Sequence, residues 1–478
     1  MNFAQPCHRF RPARLTLVSR HRIVTEKRGI MKRWIAAGML CGAAVSGRCA
    51  QTLDVVERVD VAPAWSGCPV GFALVTHTNR QFLAFYNAKR VMTLAQRDLP
   101  DGDWRFAELP STLGWDSHNY IAMATDGDGM LHVSGNMHGV PLVYFRSVRP
   151  LDIHAMEPVH RMTGDQERRV TYPRFIKGPE GAFLFTYREG GSGNGSTLWN
   201  RYDCATKTWS RLMDEPLFDG EGLRNAYPMG PTLGPDGFYH MTWVWRDTPA
   251  CETCHDISYI RSRDMRRWEN AAGQSVALPI RLGADVVVDP VPVKGGLINP
   301  CQAIGFDTQG RAVVTYTKYD DAGNTQLMNA RWEGGAWRKV QTSDWNYRWA
   351  FSGGGSIIGE VGVGPVEVQD RFLAQGYSHA KLGGGRWRLD NETLKPAGKI
   401  GGRFRFPPEV GRKEHDTPGM SVRHAGDWAA DPATGLSCDG FMYRACWESL
   451  PANRDRPQPG GVPPPAMLRV YKLRVLQP

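Results

Sequence analysis

The chain has 478 residues, including 53 Gly, 33 Pro, 16 Trp and 10 Cys, and a formal net charge of +10. Almost all of that charge lies in the first 50 residues, which hold ten Lys/Arg and one acid; the remainder carries 48 basic and 47 acidic residues. A nearly neutral body excludes the broad basic surface of a nucleic-acid binder, and beyond the leader no apolar stretch is long enough to span a bilayer.

Met31-Lys32-Arg33, followed by the apolar run Trp34–Val45, reads as a secretory signal over 31–50. Residues 1–30 read as an Arg-rich extension, non-native or disordered, ahead of the true start at Met31. The protein is therefore expected to be exported, periplasmic or extracellular, with Gln51 as a plausible mature start. Export permits disulfides, and Cys438 and Cys446 flank a turn as a candidate pair.

From residue 51 onward the chain reads as short alternating runs bounded by Gly, Pro, Asn and Asp, with no sustained helix period. The first unit has strands over 72–77, 81–88 and 91–96 and ends at Trp104. The next, with strands over 118–125, 130–137 and 142–146, turns at Asp126-Gly127-Asp128-Gly129. Three further units begin at Tyr172, Tyr227 and Asn299, turn at Pro179-Glu180-Gly181, Pro235-Asp236-Gly237 and Thr308-Gln309-Gly310, and end near Trp209, Trp268 and Trp337. Weaker units cover 354–379 and 420–447, and a strand over 467–476 is expected to complete the first unit. Four-stranded units repeating every 40–55 residues indicate an all-β, seven-bladed β-propeller, with six or eight blades as alternatives, in one domain over 51–478.

In each hairpin, a polar residue that opens one strand lies beside one that closes the next. The pairs are His118 with His138, Tyr172 with Arg188, Tyr227 with Arg246 and Asn299 with Lys318, at spacings of 20, 16, 19 and 19 residues. Arranged radially, they would gather at one mouth of a central channel. The set is rich in imidazole, phenol and cation and contains no carboxylate, which suits an anionic ligand. It lacks the paired carboxylates of most glycosidases. It does fit β-elimination next to a uronic acid, which needs a cation to neutralise the carboxylate, a base for the C5 proton and an acid for the leaving oxygen. Tyr187 and Arg201 are the competing Tyr/Arg choice, although Tyr187 should face away from Arg188.

The stretches His118-Asn119-Tyr120, His132 to His138, Val170-Thr171-Tyr172-Pro173, Tyr187 to Gly195 and Asn225-Ala226-Tyr227-Pro228 resemble the BNR-repeat-like propeller family that includes ulvan lyases and related uronate-cleaving lyases. The resemblance implies a seven-bladed propeller with a His, His, Tyr, Arg site at His118, His138, Tyr172 and Arg188. In those lyases Tyr and His serve as base and acid, while Arg and a second His hold the uronate carboxylate. Tyr227, Arg246, Asn299 and Lys318 would then line substrate subsites.

Cys251-Glu252-Thr253-Cys254-His255, with His240 nearby, forms a second constellation whose four ligands suit tetrahedral zinc; a disulfide or free thiols are the alternative. The resemblance implies a structural zinc on this loop. No organic cofactor is expected; the loop matches a haem-attachment signature literally but lies where nothing offers a haem pocket.

The leading expectation is an exported, monomeric lyase, acting on an anionic, ulvan-like or rhamnose-glucuronate polysaccharide. The alternatives are a glycoside hydrolase using Asp116, Glu189 or Asp247 and a non-catalytic glycan-binding propeller.

Overall fold

The structure, a computed structural model, describes residues 51–476. The extension and signal segment expected over 1–50 lie outside the described residues. Among those described, the chain is all-β with five single-turn 3₁₀ segments, and its strands form seven sheets.

In chain order, the first sheet contains Ala73–His77, Arg80–Tyr86, Val91–Asp98 and Arg105–Thr112. The second contains Ile121–Thr125, Leu131–Gly135, Tyr144–Ser147 and Met156–Pro158. The third is built on Val170–Lys177, Phe183–Gly191, Asn194–Asp203 and Thr208–Arg211, and the fourth on Asn225–Leu233, Tyr239–Arg246, Cys254–Ser262 and Trp268–Glu269. The fifth runs through Gln302–Phe306, Ala312–Tyr319, Thr325–Glu333 and Ala336–Gln341. The sixth runs through Val361–Gln369, Phe372–His379, Gly385–Leu389 and Pro396–Lys399.

All four predicted turns form. Thr125 pairs with Leu131, Lys177 with Phe183, Leu233 with Tyr239 and Phe306 with Ala312, across the turns read from Gly, Pro and Asp. Each turn places its glycine in the left-handed region (Gly129, Gly181, Gly237 and Gly310, φ +76° to +78°), where a Cβ would be strained. Asp126, Asp236 and Asp307 brace three of these turns by accepting backbone N–H groups two residues on.

The seventh sheet departs from expectation. The strand Ala466–Val475 does not complete the first sheet, which already has four strands. It lies between Met442–Ser449 and Gln51–Ala64, so the first and last described strands pair antiparallel along ten register positions. The N-terminal strand is half-exposed and charged, which hides it from a search for apolar runs.

The core runs between consecutive sheets. The central strands Arg80–Tyr86, Tyr239–Arg246 and Thr325–Glu333 are buried on both faces, whereas the outer strand Arg105–Thr112 alternates with solvent. The recurrent Trp residues explain part of this. Trp209 of the third sheet meets His132 of the second at 6.0 Å, Trp268 of the fourth meets Trp199 of the third at 6.5 Å, and Trp337 of the fifth meets Tyr259 of the fourth at 5.2 Å. Each edge-to-face contact adds about 0.5–1.5 kcal/mol to the area it buries.

Candidate active site

The site assembles where the second and third sheets meet. His118 lies in the turn before Ile121–Thr125, and His138 begins the short strand His138–Val140. That strand leaves the second sheet and pairs with Val170–Lys177 of the third, setting His138 opposite Thr171. The two imidazoles stand 4.3 Å apart, centroid to centroid.

Asp116 joins them. His118 Nδ1 donates to Asp116 Oδ1 at 2.7 Å, and His138 Nδ1 donates to Oδ2 at 2.5 Å. Burial alone would raise the Asp116 carboxyl, but the hydrogen bonds from the two imidazoles outweigh it and hold the group well below the usual carboxylate range. An ionised carboxylate only accepts, so both Nδ1 atoms carry protons and each Nε2 is left for other chemistry. Among the described residues this is the one group of three potential metal ligands whose atoms lie within 4.8 Å of one another. Its 2.5 and 2.7 Å separations are hydrogen bonds; ligands about 2 Å from a tetrahedral zinc would stand more than ~3 Å apart.

Tyr172 occupies a bulge. The register slips between Thr171 and Arg174, and Tyr172 takes a φ of +60°, a conformation rare for an aromatic residue. The bulge removes Tyr172 from direct opposition to Arg188, whose register partner is Thr171, and brings its ring to 5.9 Å from His118. Burial and the neighbouring Tyr227 raise the Tyr172 phenol, partly offset by Arg188 and Arg246, so it remains protonated at neutral pH.

Arg188 is 3 % exposed. Its guanidinium lies 4.9 Å over the Tyr172 ring, donates to Thr171 Oγ1 at 3.0 Å and reaches Tyr227 Oη at 3.4 Å. Its Nε has no partner, and among the described residues no carboxylate lies within ion-pair distance. Arg246 lies 5.5 Å over the Tyr227 ring and donates to Asn299 Oδ1 at 3.3 Å. Ser192 and Tyr227 share a hydroxyl contact of 2.6 Å. The buried Asn225, opposite Arg246, leaves both amide atoms unpartnered.

Three expectations need correction. Tyr187 is buried in the core, its hydroxyl bonded to Gln166 O and Arg211, because strand alternation turns it away from Arg188. Arg201 is exposed opposite Leu184, four positions or about 13 Å along the strand from the partner of Arg188. Asn299 and Lys318 do not pair: Asn299 turns to Arg246 and Cys254, while Lys318 is held by Asp289 at 2.7 Å. Tyr227 and Arg246 do meet as expected and, like Arg188, are almost wholly covered.

The tetrahedral set His240, Cys251, Cys254 and His255 does not assemble. His240 pairs in register with Arg261, six positions or about 20 Å from the Arg246–Cys254 pair, and bonds to Tyr259 and Asp236. The His255 ring lies between Asp247 and Asp256, and Cys254 Sγ donates to Asn299. These residues do not fit the zinc expected for them. Cys438 and Cys446 are also unpaired thiols, directed to Thr78 O and Val410 O.

Sequence reasoning missed what Asp116, Thr171, Asn225, Ser356 and Asp455 do here. The Asp-x-His spacing of Asp116 and His118 was a usable signal; Ser356 Oγ and Asp455 Oδ2, 3.4 and 3.6 Å from His118 Nδ1, reach it on loops from distant sequence and left none.

Residues 80–345 match the pattern of the BNR repeat-containing family. The chain belongs to that family. Among curated relatives, it is 44% identical over 74 residues to an ulvan lyase, long isoform, of Glaciecola sp. (strain KUL10), and 44% identical over 54 residues to one of Pseudoalteromonas sp. (strain PLSV). These matches take in 14% and 10% of this chain but only 7% and 5% of the relatives' lengths. Among solved structures, the polysaccharide lyase Uly1 aligns at a TM-score of 0.57 with 14% identity, covering 87% of this chain and 99% of that one. A PL25 ulvan lyase bound to -[GlcA(1-4)Rha3S]- aligns at 0.55 with 14% identity, covering 83% and 97%. At such identity the likeness is one of fold.

Proposed function

We propose that this BNR-family protein is an exported polysaccharide lyase that cleaves a uronic-acid-containing, ulvan-like or rhamnose-glucuronate glycan by β-elimination. We further propose that its seven sheets are the blades of a propeller. Support for the propeller comes from one cavity of about 340 Å³, lined by Leu74, Met123, Arg174 and Gly426 from four different sheets, as expected at a shared axis.

The observation that carries the activity is the buried Arg188 guanidinium without an acidic partner, set beside a protonated phenol and an Asp-anchored pair of imidazoles. A buried, uncompensated cation is costly and favours an anion in its site. A uronate carboxylate supplies one. Arg188 and His138 hold that carboxylate and stabilise the charge that develops on it as the C5 proton leaves. His118, its Nδ1–H fixed on Asp116, takes the C5 proton at Nε2. The C5–H electron pair becomes the C4–C5 double bond, the C4–O bond breaks, and the Tyr172 hydroxyl gives its proton to the leaving oxygen. A hydrolase on this site would need a carboxylic acid held protonated, whereas Asp116 is shifted the opposite way with both oxygens occupied.

The test is incubation of the full chain with ulvan and other uronate polymers, following the ultraviolet band of unsaturated uronates. New reducing ends without that band would refute elimination.

A further inference from the structure

The segment 351–359, Phe-Ser-Gly-Gly-Gly-Ser-Ile-Ile-Gly, leads into the sixth sheet but is tied to mouth loops of three other sheets. On the fourth sheet, Gly353 N donates to Glu252 Oε2 at 2.8 Å, and Cys251 N donates to Gly353 O at 2.9 Å. On the second, the Ser356 hydroxyl lies 2.6 Å from that of Ser117 and 3.4 Å from His118 Nδ1. From the loop before the last strand, Asp455 Oδ2 accepts from Ser356 N at 2.9 Å. Arg454 donates to Ser352 O at 2.7 Å and Gly354 O at 3.0 Å.

This seam is held in strained backbone. Arg454 and Asp455 are consecutive non-glycine residues at φ +54° and +61°. Gly353 and Gly355 both sit at φ +77°, and a Cβ on Gly355 would meet Arg454 O at 2.8 Å. Such geometry persists where the surroundings over-determine it, as at ligand clamps. The His118 and His138 side chains are 24% and 28% exposed, while Arg188, Tyr227 and Arg246 are almost wholly covered.

We infer that segment 351–359 is a bar across the site that confines cleavage to chain ends of an anionic glycan, so that short products are released one at a time. The inference rests on the lyase reading above. A polymer cut internally must leave the site on both sides, whereas a chain end needs only the opening over the two histidines. The exposed Ser352 of the bar offers an uncharged hydroxyl to a sugar.

The test uses the full chain and a high-mass uronate–rhamnose polymer, with the unsaturated chromophore and viscosity read together and early products sized. The expected result is chromophore growth with little viscosity loss and short oligosaccharides from the first time points. Arg454→Ala and Glu252→Ala loosen the bar from two sides; either should lengthen early products several-fold and speed viscosity loss at equal chromophore. Rapid viscosity loss with long products from the unaltered protein overturns this inference but leaves the lyase reading intact. So does an unchanged product size in both variants when their melting curves show folded protein. If Arg454→Ala does not fold, Glu252→Ala alone decides. No chromophore from any polymer overturns the lyase reading and this inference with it.

Discussion

The Arg188 guanidinium packs over the face of the Tyr172 ring at 4.9 Å, while its hydrogen bonds go to hydroxyl groups and none to an acid. A cation this deeply buried without a counter-charge works against the fold. Replacing it with an apolar side chain of similar length should therefore leave stability unchanged or raise it. Arg188→Met is expected to keep or increase the melting temperature while lowering kcat/KM by about 10²–10³-fold, the usual cost of one transition-state donor. Calorimetry and chromophore kinetics on the same preparation check both halves; a large loss of stability would show that Arg188 is structural.

Tyr172→Phe removes one hydroxyl and retains the ring under Arg188. With the phenol as proton donor, kcat should fall by about 10²–10⁴-fold with little change in KM. The Tyr172 hydroxyl makes no hydrogen bond to the described residues that would explain such a loss structurally. A variant within a few-fold of the unaltered protein would remove Tyr172 from the chemistry and leave it as packing for Arg188.

How much of this was legible in advance differs by feature. The hairpins were, because Asp126, Asp236 and Asp307 cap their turns and the following glycines take φ values other residues avoid. The clustering of His118, His138, Tyr172 and Arg188 was legible as a spacing, but the spacing misassigned partners. Bulges between Thr171 and Arg174, and between Met229 and Thr232, shift the register by amounts a residue count does not contain. His240 shows the opposite error: eleven residues from Cys251 in sequence, it is separated from it by the length of an extended strand. The pairing of Gln51–Ala64 with Ala466–Val475 was invisible because that N-terminal strand buries few of its side chains.

Asp116→Asn tests the anchor. The folded-state carboxyl is held below its ordinary value, so its stabilising contribution is complete above the unfolded value near 4 and fades as pH falls through that region toward the lower folded value. The melting-temperature gap between the unaltered protein and Asp116→Asn should therefore narrow as pH falls below about 4. Activity should fall at every pH, by about 10²–10⁴-fold, because the amide offers one acceptor where two imidazoles each need one. A gap that widens in acid would contradict the ionised anchor.

The last prediction concerns the terminal strand pair. Arg97 of the first sheet is 1 % exposed and grips Glu57 of the N-terminal strand through both terminal nitrogens, at 2.9 and 3.1 Å, while its Nε donates to Gln81. The contact joins the seventh sheet to the first, independently of the ladder between Gln51–Ala64 and Ala466–Val475. Glu57→Gln keeps the shape but removes the charge opposite a buried guanidinium. A charge-assisted hydrogen bond is worth about 1.5–3 kcal/mol, and Glu57 is 27% exposed, so the lower half of that range applies. Denaturant unfolding should show a loss of that size, and kcat should be unchanged because Glu57 touches nothing in the site. Arg97→Met with Glu57→Gln should recover part of the loss, since the pair is then removed without stranding a charge. If the double variant is less stable than Glu57→Gln alone, Arg97 acts through its Gln81 bond and its stacking 5.0 Å over Trp104, and the ion pair is secondary.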